Sequence, residues 1–245
     1  MPHPLKALIA AIFAMTSTAH AACSIDSAPT RPHVVELYSS EGCSSCPPAD
    51  TWLRTLRLGA NVVPLEFHVD YWDSLGWRDR FADARYSARQ NEQARRDGSA
   101  SVYTPQVVLD GRSWSGWYRG GHLTPPEPAA LALHLRVEPR EKLHVDLDAS
   151  DISTKRPDAL HTYVALIEDG LVTQVRAGEN RGARLTHDHV VRAFSGPLPL
   201  VHATVDLAVP SDGDLGNSTI VAFAQDARDG SFAQVVALPL AQCGK

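Results

Sequence analysis

Cys43-Ser44-Ser45-Cys46 stands between the apolar run Val34-Val35-Glu36-Leu37-Tyr38 and the step Pro47-Pro48-Ala49-Asp50. The run has strand composition. Prolines suit the first turn of a helix, where their missing N–H groups would have no partner in any case. Two cysteines at this spacing on a strand-to-helix turn can close a small disulfide ring and reopen it. The positive end of the helix favours the thiolate of the first cysteine, which is the form that reacts. The segment is therefore expected to be α/β, with the chemistry of a redox dithiol.

Lys6 precedes the apolar stretch Ala7–Met15, and Ala19-His20-Ala21 has the small-x-small pattern of a cleavage site. Residues 1–22 are read as a secretory leader, so the expected location is periplasmic or secreted. The apolar stretch is too short to cross a bilayer as a helix, and no later run is long enough either. A lipid anchor on Cys23 would need a large apolar residue where His20 stands. Removing the leader takes away one lysine and no acid, which moves the net charge from −5 to −6. A mildly acidic chain without basic runs fits neither nucleic acid nor an anionic membrane. Four cysteines remain in a compartment that permits disulfides. Spacing favours Cys43–Cys46 as the redox pair, which leaves Cys23 and Cys243 for a structural disulfide joining the two ends.

From His33 to about Arg136, strand and helix signals alternate. Strand Val34–Tyr38 leads through the dithiol into a helix expected from Pro47 to about Leu58, with Ala49, Trp52, Leu53 and Leu56 on one face. A second strand runs over 62–69, and Pro64 places its first half at an edge or a bulge. A polar helix is expected over 78–96, stopped by Gly98. The run from Val102 to Leu109 ends in Asp110-Gly111, a hairpin signal. Pro126–Arg136 is read as one more short helix. After Pro139 come about seven short β-rich runs punctuated by Asp169-Gly170, Asp212-Gly213 and Asp229-Gly230, the pattern of a β-sandwich. The expected domains are 23–139 and 140–245.

The order strand, C-x-x-C, helix, strand, helix, Thr-Pro strand, hairpin resembles a thioredoxin fold. Cys43, Cys46 and Tyr103-Thr104-Pro105-Gln106-Val107-Val108-Leu109-Asp110-Gly111 carry that resemblance. It implies that Pro105 follows a cis peptide beside the dithiol and that the backbone of Thr104 faces the sulfurs. At closer range the chain resembles the secreted domain-of-unknown-function 1223 family. The resemblance lies in Glu41–Asp50, Phe67–Asp73, Leu75-Gly76-Trp77, Val102–Gln106, Gly178–Gly182 and Leu185–Arg192. It implies a fold but no established reaction.

The chain also departs from thioredoxins. Gly42 stands where a tryptophan usually precedes the first cysteine. The proton-carrying strand aspartate aligns with Leu37; Glu36, one position away, either substitutes through a bulge or faces solvent. Ser44-Ser45 offers neither the proline nor the histidine that often tunes such motifs, and the anionic Glu41 opposes thiolate formation at Cys43. Histidines invite a metal reading: His68 alternates with Asp70, His187 with His189, and His122 follows Gly120-Gly121. Cys43, Cys46 and His68 together would suit copper or zinc. Tyr71, Trp72, Trp77, Trp114, Trp117 and Tyr118 rim a peptide groove or pack under loops. Asn180, Arg181 and Arg184 are candidates for a polar turn against the first domain. The serines near the dithiol lack the G-x-S-x-G setting of a nucleophile.

The sequence thus describes an α/β thioredoxin-like domain followed by an antiparallel β-sandwich. Its expected activity is thiol–disulfide exchange or redox sensing, on a protein or a small thiol or disulfide. Cys43 attacks from an exposed helix end, Cys46 resolves, and Thr104 and Pro105 complete the site. No cofactor is assigned. The alternatives are a copper or zinc protein using the dithiol with His68, and a non-catalytic interaction module.

Overall fold

A computed structural model of the chain describes residues 22–243; the leader expected over 1–22 lies outside them but for Ala22. In chain order the elements begin with β1 (Cys23–Asp26), β2 (Thr30–Arg31), β3 (His33–Ser39), α1 (Pro47–Leu53), β4 (Val62–His68) and α2 (Ala84–Arg96). Next come β5 (Gln106–Leu109), β6 (Arg112–Ser113), α3 (Gly116–Arg119), β7 (Glu127–Pro128), β8 (Ala132–Pro139) and β9 (Leu143–Ser150). The chain continues through β10 (Leu160–Glu168), β11 (Leu171–Gln174), β12 (Arg184–His187) and β13 (Val190–Leu198). It ends with β14 (His202–Leu207), β15 (Ser218–Asp226) and β16 (Phe232–Pro239).

An eight-stranded sheet has the order β16-β15-β10-β13-β4-β3-β5-β6, and a four-stranded sheet the order β1-β8-β9-β14. β3 and β4 run parallel, β5 is antiparallel to β3, and the rest of the large sheet is antiparallel except where β13 meets β4. Segments 23–139 and 140–245 both supply strands to each of these sheets. The seam between them is short: β13 joins β4 in parallel at Val190 and Glu66 alone. That explains Pro64. It pairs with Val35 on one side, while the first half of β4 has no strand on the other, so its missing N–H breaks no ladder there.

Alternation along the strands decides what each face packs against. Val34, Tyr38, Phe67, Tyr163 and Phe223 share one face of the large sheet with Tyr86 of α2. On the opposite face, Val164, Leu166, Ile220 and Val236 meet Leu133, Leu135, Val145 and Leu147 of the four-stranded sheet. At the other end of that face, Val35, Leu37 and Val107 pack on Ala49 and Leu53 of α1. Covered on both sides, β3, β4 and β15 are buried along their whole length.

Three sequence expectations change. The helix read over 126–136 does not form: residues 127–128 and 132–136 are strand. Leu131, Leu133, Leu135 and Val137 alternate with less buried residues, and this period of two overrides the helix preference of alanine and leucine. α1 stops at Leu53, short of Leu58. α2 starts only at Ala84, where the side chain of Asp83 accepts from the Arg85 N–H as an N-cap. The Asp110-Gly111 turn forms as expected, with φ of 50° and 84°. There Gly111 touches the backbone of Gly230 so closely that a Cβ would lie 2.0 Å from its carbonyl oxygen. No helix among the described residues is long and apolar enough to cross a membrane.

Candidate functional site

β3 delivers the chain to a tight turn, and α1 carries it away with Cys46 as N-cap. Cys43 and Cys46 form a disulfide with their Cα atoms 5.5 Å apart. Ser45 Oγ lies 3.3 Å from Cys43 Sγ and 3.5 Å from the Thr104 carbonyl oxygen, to which it donates. Trp72 Nε1 donates to Thr104 Oγ1 at 2.8 Å, and the Thr104–Pro105 peptide is cis. The four residues selected from sequence, Cys43, Cys46, Thr104 and Pro105, therefore meet at one place.

Cys43 does not stand at an exposed helix end. Both cysteines are 0% exposed, and only Ser44 and Ser45 face solvent. The cover comes from the turn between β11 and β12. Asn180 Nδ2 donates to the carbonyls of Glu41 and Cys43, at 2.9 Å each, and Glu179 accepts from the Ser44 N–H at 3.2 Å. Of the polar turn expected to reach the first segment, Asn180 makes this contact directly. On the other side, a Cβ at Gly42 would come within 3.1 Å of the Trp72 Cβ, so residue 72 closes the space beside the motif.

Behind the disulfide lies a group of buried ionisable side chains. Asp50, one turn along α1 from Cys46, is held by Ser39 Oγ at 2.6 Å. Burial, with the Glu66 carboxylate adding to it, pushes the Asp50 carboxyl up to about 7. Burial also pushes Glu66 upward, but His187 and His68 together outweigh it and bring the carboxyl down to about 2. Glu66 Oε1 lies 3.0 Å from His68 Nε2 and 3.1 Å from His187 Nδ1. His68 turns its other nitrogen to Asp79 Oδ2 at 2.6 Å. Burial works against the charged imidazole of His68, yet Asp79 and Glu66 raise its pKa well above the ordinary value. His187 Nε2 faces Glu41 Oε1 at 3.7 Å, while the other Glu41 oxygen accepts from Trp77 Nε1 at 2.8 Å.

Several sequence pairings dissolve. Glu36 neither serves the dithiol nor faces solvent: it is buried on the α2 face, where Arg89 binds it at 2.7 Å. Asp70 leaves His68 and accepts from Ser87 Oγ. His189 leaves His187 for Asp169, at 3.1 Å. His122 is exposed. With the cysteines bonded to each other, His68 spends both nitrogens on carboxylates. Trp114 and Trp117 pack on Trp52, and Tyr118 meets Trp117 edge-on. Trp72 and Trp77 bind Thr104 and Glu41, and Tyr71 binds Gln90. Sequence reasoning missed Asp50 and Glu66 as site residues. Glu66 alternates with His68 on β4, which was the available signal.

Comparison with known proteins supplies a family and a shape. No curated protein matches the chain. A crystal structure of a protein from Agrobacterium tumefaciens, solved by structural genomics, is 25% identical over 84% of this chain and 93% of its own, with a TM-score of 0.58. HBP35 of Porphyromonas gingivalis is 13% identical over 89% of this chain and 77% of its own; its TM-score of 0.61 is a likeness of fold alone. The family model for a protein of unknown function, DUF1223, matches residues 34–225, a span that holds the dithiol, the buried charges and the covering turn, and the chain belongs to that family.

Proposed function

We propose that the protein is an exported thiol–disulfide exchange protein whose working unit is a thioredoxin-like segment around β3, α1, β4, α2, β5 and β6. The observation that carries this reading is a disulfide on the strand-to-helix turn with a buried, protonatable carboxyl one turn behind it. Two further features support it: the Ser45 hydroxyl lies between Cys43 Sγ and the Thr104 carbonyl, and a parallel β3/β4 pair sits beside the antiparallel β5/β6 hairpin.

In the reduced protein, the Cys43 thiolate attacks one sulfur of a substrate disulfide. A Cys43–substrate bond forms, the substrate S–S bond breaks, and the first substrate thiolate leaves. Cys46 gives its proton to the Asp50 carboxylate and attacks Cys43 Sγ, which closes the protein disulfide and expels the second thiolate. Two electrons pass from the dithiol to the substrate, and a small thiol or a partner dithiol returns them. A carboxyl near 7 is suited to this step, because it both takes and releases a proton close to neutral pH. Asn180 and Glu179 must let go of the motif before a substrate reaches Cys43.

The test is alkylation of the reduced protein across pH, mapped to each cysteine, together with the redox potential of the pair. Cys43 is expected to react with an apparent pKa below that of a free thiol while Cys46 stays shielded. Equal, slow labelling of both would overturn the reading.

A further inference from the structure

Glu66, His68 and His187 each offer one ligand atom, and these atoms lie within 4.8 Å of one another. All three are at most 1% exposed. Glu66 Oε2, His187 Nε2 and Glu41 Oε1 have no hydrogen-bond partner, although each is buried. A buried carboxylate oxygen without a partner forfeits its hydration for nothing, so Glu66 Oε2, between the two histidines, points to something more than ion pairing.

The arrangement around the histidines says what that is. Each ring presents one nitrogen to Glu66 and the other to an outer carboxylate: His68 to Asp79 at 2.6 Å, His187 to Glu41 at 3.7 Å. Metal-binding histidines are held as His68 is, with the nitrogen opposite the metal fixed by a carboxylate that sets the tautomer and strengthens the ligand, while Glu41 stands near the corresponding nitrogen of His187 without a hydrogen bond to it. Those outer carboxylates are themselves anchored. Asp79 accepts from the Glu41 and Phe81 N–H groups, and Glu41 from Trp77. The Phe81 ring packs edge-on against both imidazoles and forms an apolar wall. An open cleft of about 600 Å³ reaches Asp79 from outside, lined by Asp70, Asp73, Asp79 and Asp83 together with Arg78 and Arg80. Four carboxylates against two guanidinium groups leave the cleft net acidic, which favours cations, and Asp79 is the outer partner of His68.

We propose that Glu66, His68 and His187 form a binding site for a divalent first-row cation, with Asp79 and Glu41 as its outer carboxylates. Two imidazole nitrogens and a carboxylate suit Zn²⁺ or Co²⁺, whereas Cu(I) prefers sulfur. The cation takes the place of the protons that now lie between the inner nitrogens and Glu66, so the buried charge stays balanced. This site differs from one built on the dithiol and His68, because it needs no thiolate and exists with the disulfide closed. It does not depend on the exchange reading.

The experiment is titration of the exported chain, metal-stripped and with its disulfides intact, with Co²⁺ and separately with Zn²⁺. One cobalt per chain is expected, with visible ligand-field bands and no sulfur-to-metal charge-transfer band. The same spectrum is expected from the Cys43→Ser/Cys46→Ser variant. Asp79→Asn should weaken binding about 10–100-fold, and Glu66→Gln or His187→Gln by more than that. Near-ultraviolet circular dichroism checks that each variant is folded. Failure of the folded wild type to bind either ion overturns the proposal, since that measurement depends on no variant. A sulfur charge-transfer band, or binding lost in the double serine variant, overturns it in favour of the dithiol as ligand.

Discussion

The two disulfides of this protein are nearly alike as bonds and opposite in setting. Cys43–Cys46 spans three positions of sequence and Cys23–Cys243 spans 220, yet their Cα separations are 5.5 and 5.3 Å. The long-range bond sits against the leucine-rich core between the sheets, where Cys23 pairs with Val137 in the β1/β8 ladder. The short one lies over Asp50, Glu66 and the histidines, beneath the Asn180 turn. On the exchange reading proposed above, the same chemical group is a fastener at one end and a reactive centre at the other. What decides between them is how much chain the bond restrains and which proton carriers stand beside it.

The largest expected effect separates them by activity. Cys43→Ser should abolish reduction of an aromatic disulfide reagent, whereas Cys23→Ser/Cys243→Ser should leave its rate unchanged. A rate that falls with the second variant would break the comparison. Stability should divide the other way. Closing a loop of this length restrains the unfolded chain by about 5 kcal/mol, against about 2 kcal/mol for the short ring. Denaturant unfolding of the two double-serine variants measures both losses, and equal losses would remove the fastener role.

Asp50→Asn sharpens the contrast at the reactive end. The folded carboxyl holds its proton up to about 7, while the unfolded chain loses it near 3.8. Stability from this group therefore falls between about pH 4 and pH 7. Glu66 acts in the opposite sense: its folded value of about 2 lies below its usual 4.5, so its contribution is present above about 4.5 and fades toward pH 2. Against wild type, Asp50→Asn should gain relative stability from pH 4 to 7, levelling off at no more than about 4 kcal/mol. The same variant should slow exchange near neutral pH by about 100-fold. Unfolding curves and stopped-flow exchange across pH check the two together. The smallest effect concerns the cover: Asn180→Ala removes donors to two carbonyls, and at about 1 kcal/mol should speed alkylation of reduced Cys43 about five-fold.

Sequence patterns exposed the local features and hid the distant ones. Cys43–Cys46, the Asp110-Gly111 turn and the strand nature of β3 and β4 are set by neighbours in the chain, and they could be read there. The pairing of Cys23 with Cys243 followed from counting cysteines. β8 reads as a helix in isolation because Ala and Leu favour helices, while its partners, β1 and β9, include a strand more than 100 residues away. At the site, alternation grouped His68 with Asp70 and His187 with His189. Tertiary packing instead brought β4 and β12 together around Glu66, an association that no local period encodes. Burial of Cys43 depends on the Asn180 turn, more than 130 residues downstream.

The position of β1 bears on how the chain comes to be folded. During synthesis from the N-terminus, Cys23 appears 20 residues before Cys43 and 220 before its proper partner. Its strand has nothing to pair with until β8 arrives, and its sulfur nothing to bond until the last residues do. For most of that interval the nearest thiols are those of the reactive pair. A crossed bond from Cys23 to Cys43 or Cys46 is therefore the folding error that this order of cysteines permits, and closure of the short ring before Cys243 arrives would exclude it. With the small disulfide closed, Cys243 is the one remaining partner for Cys23.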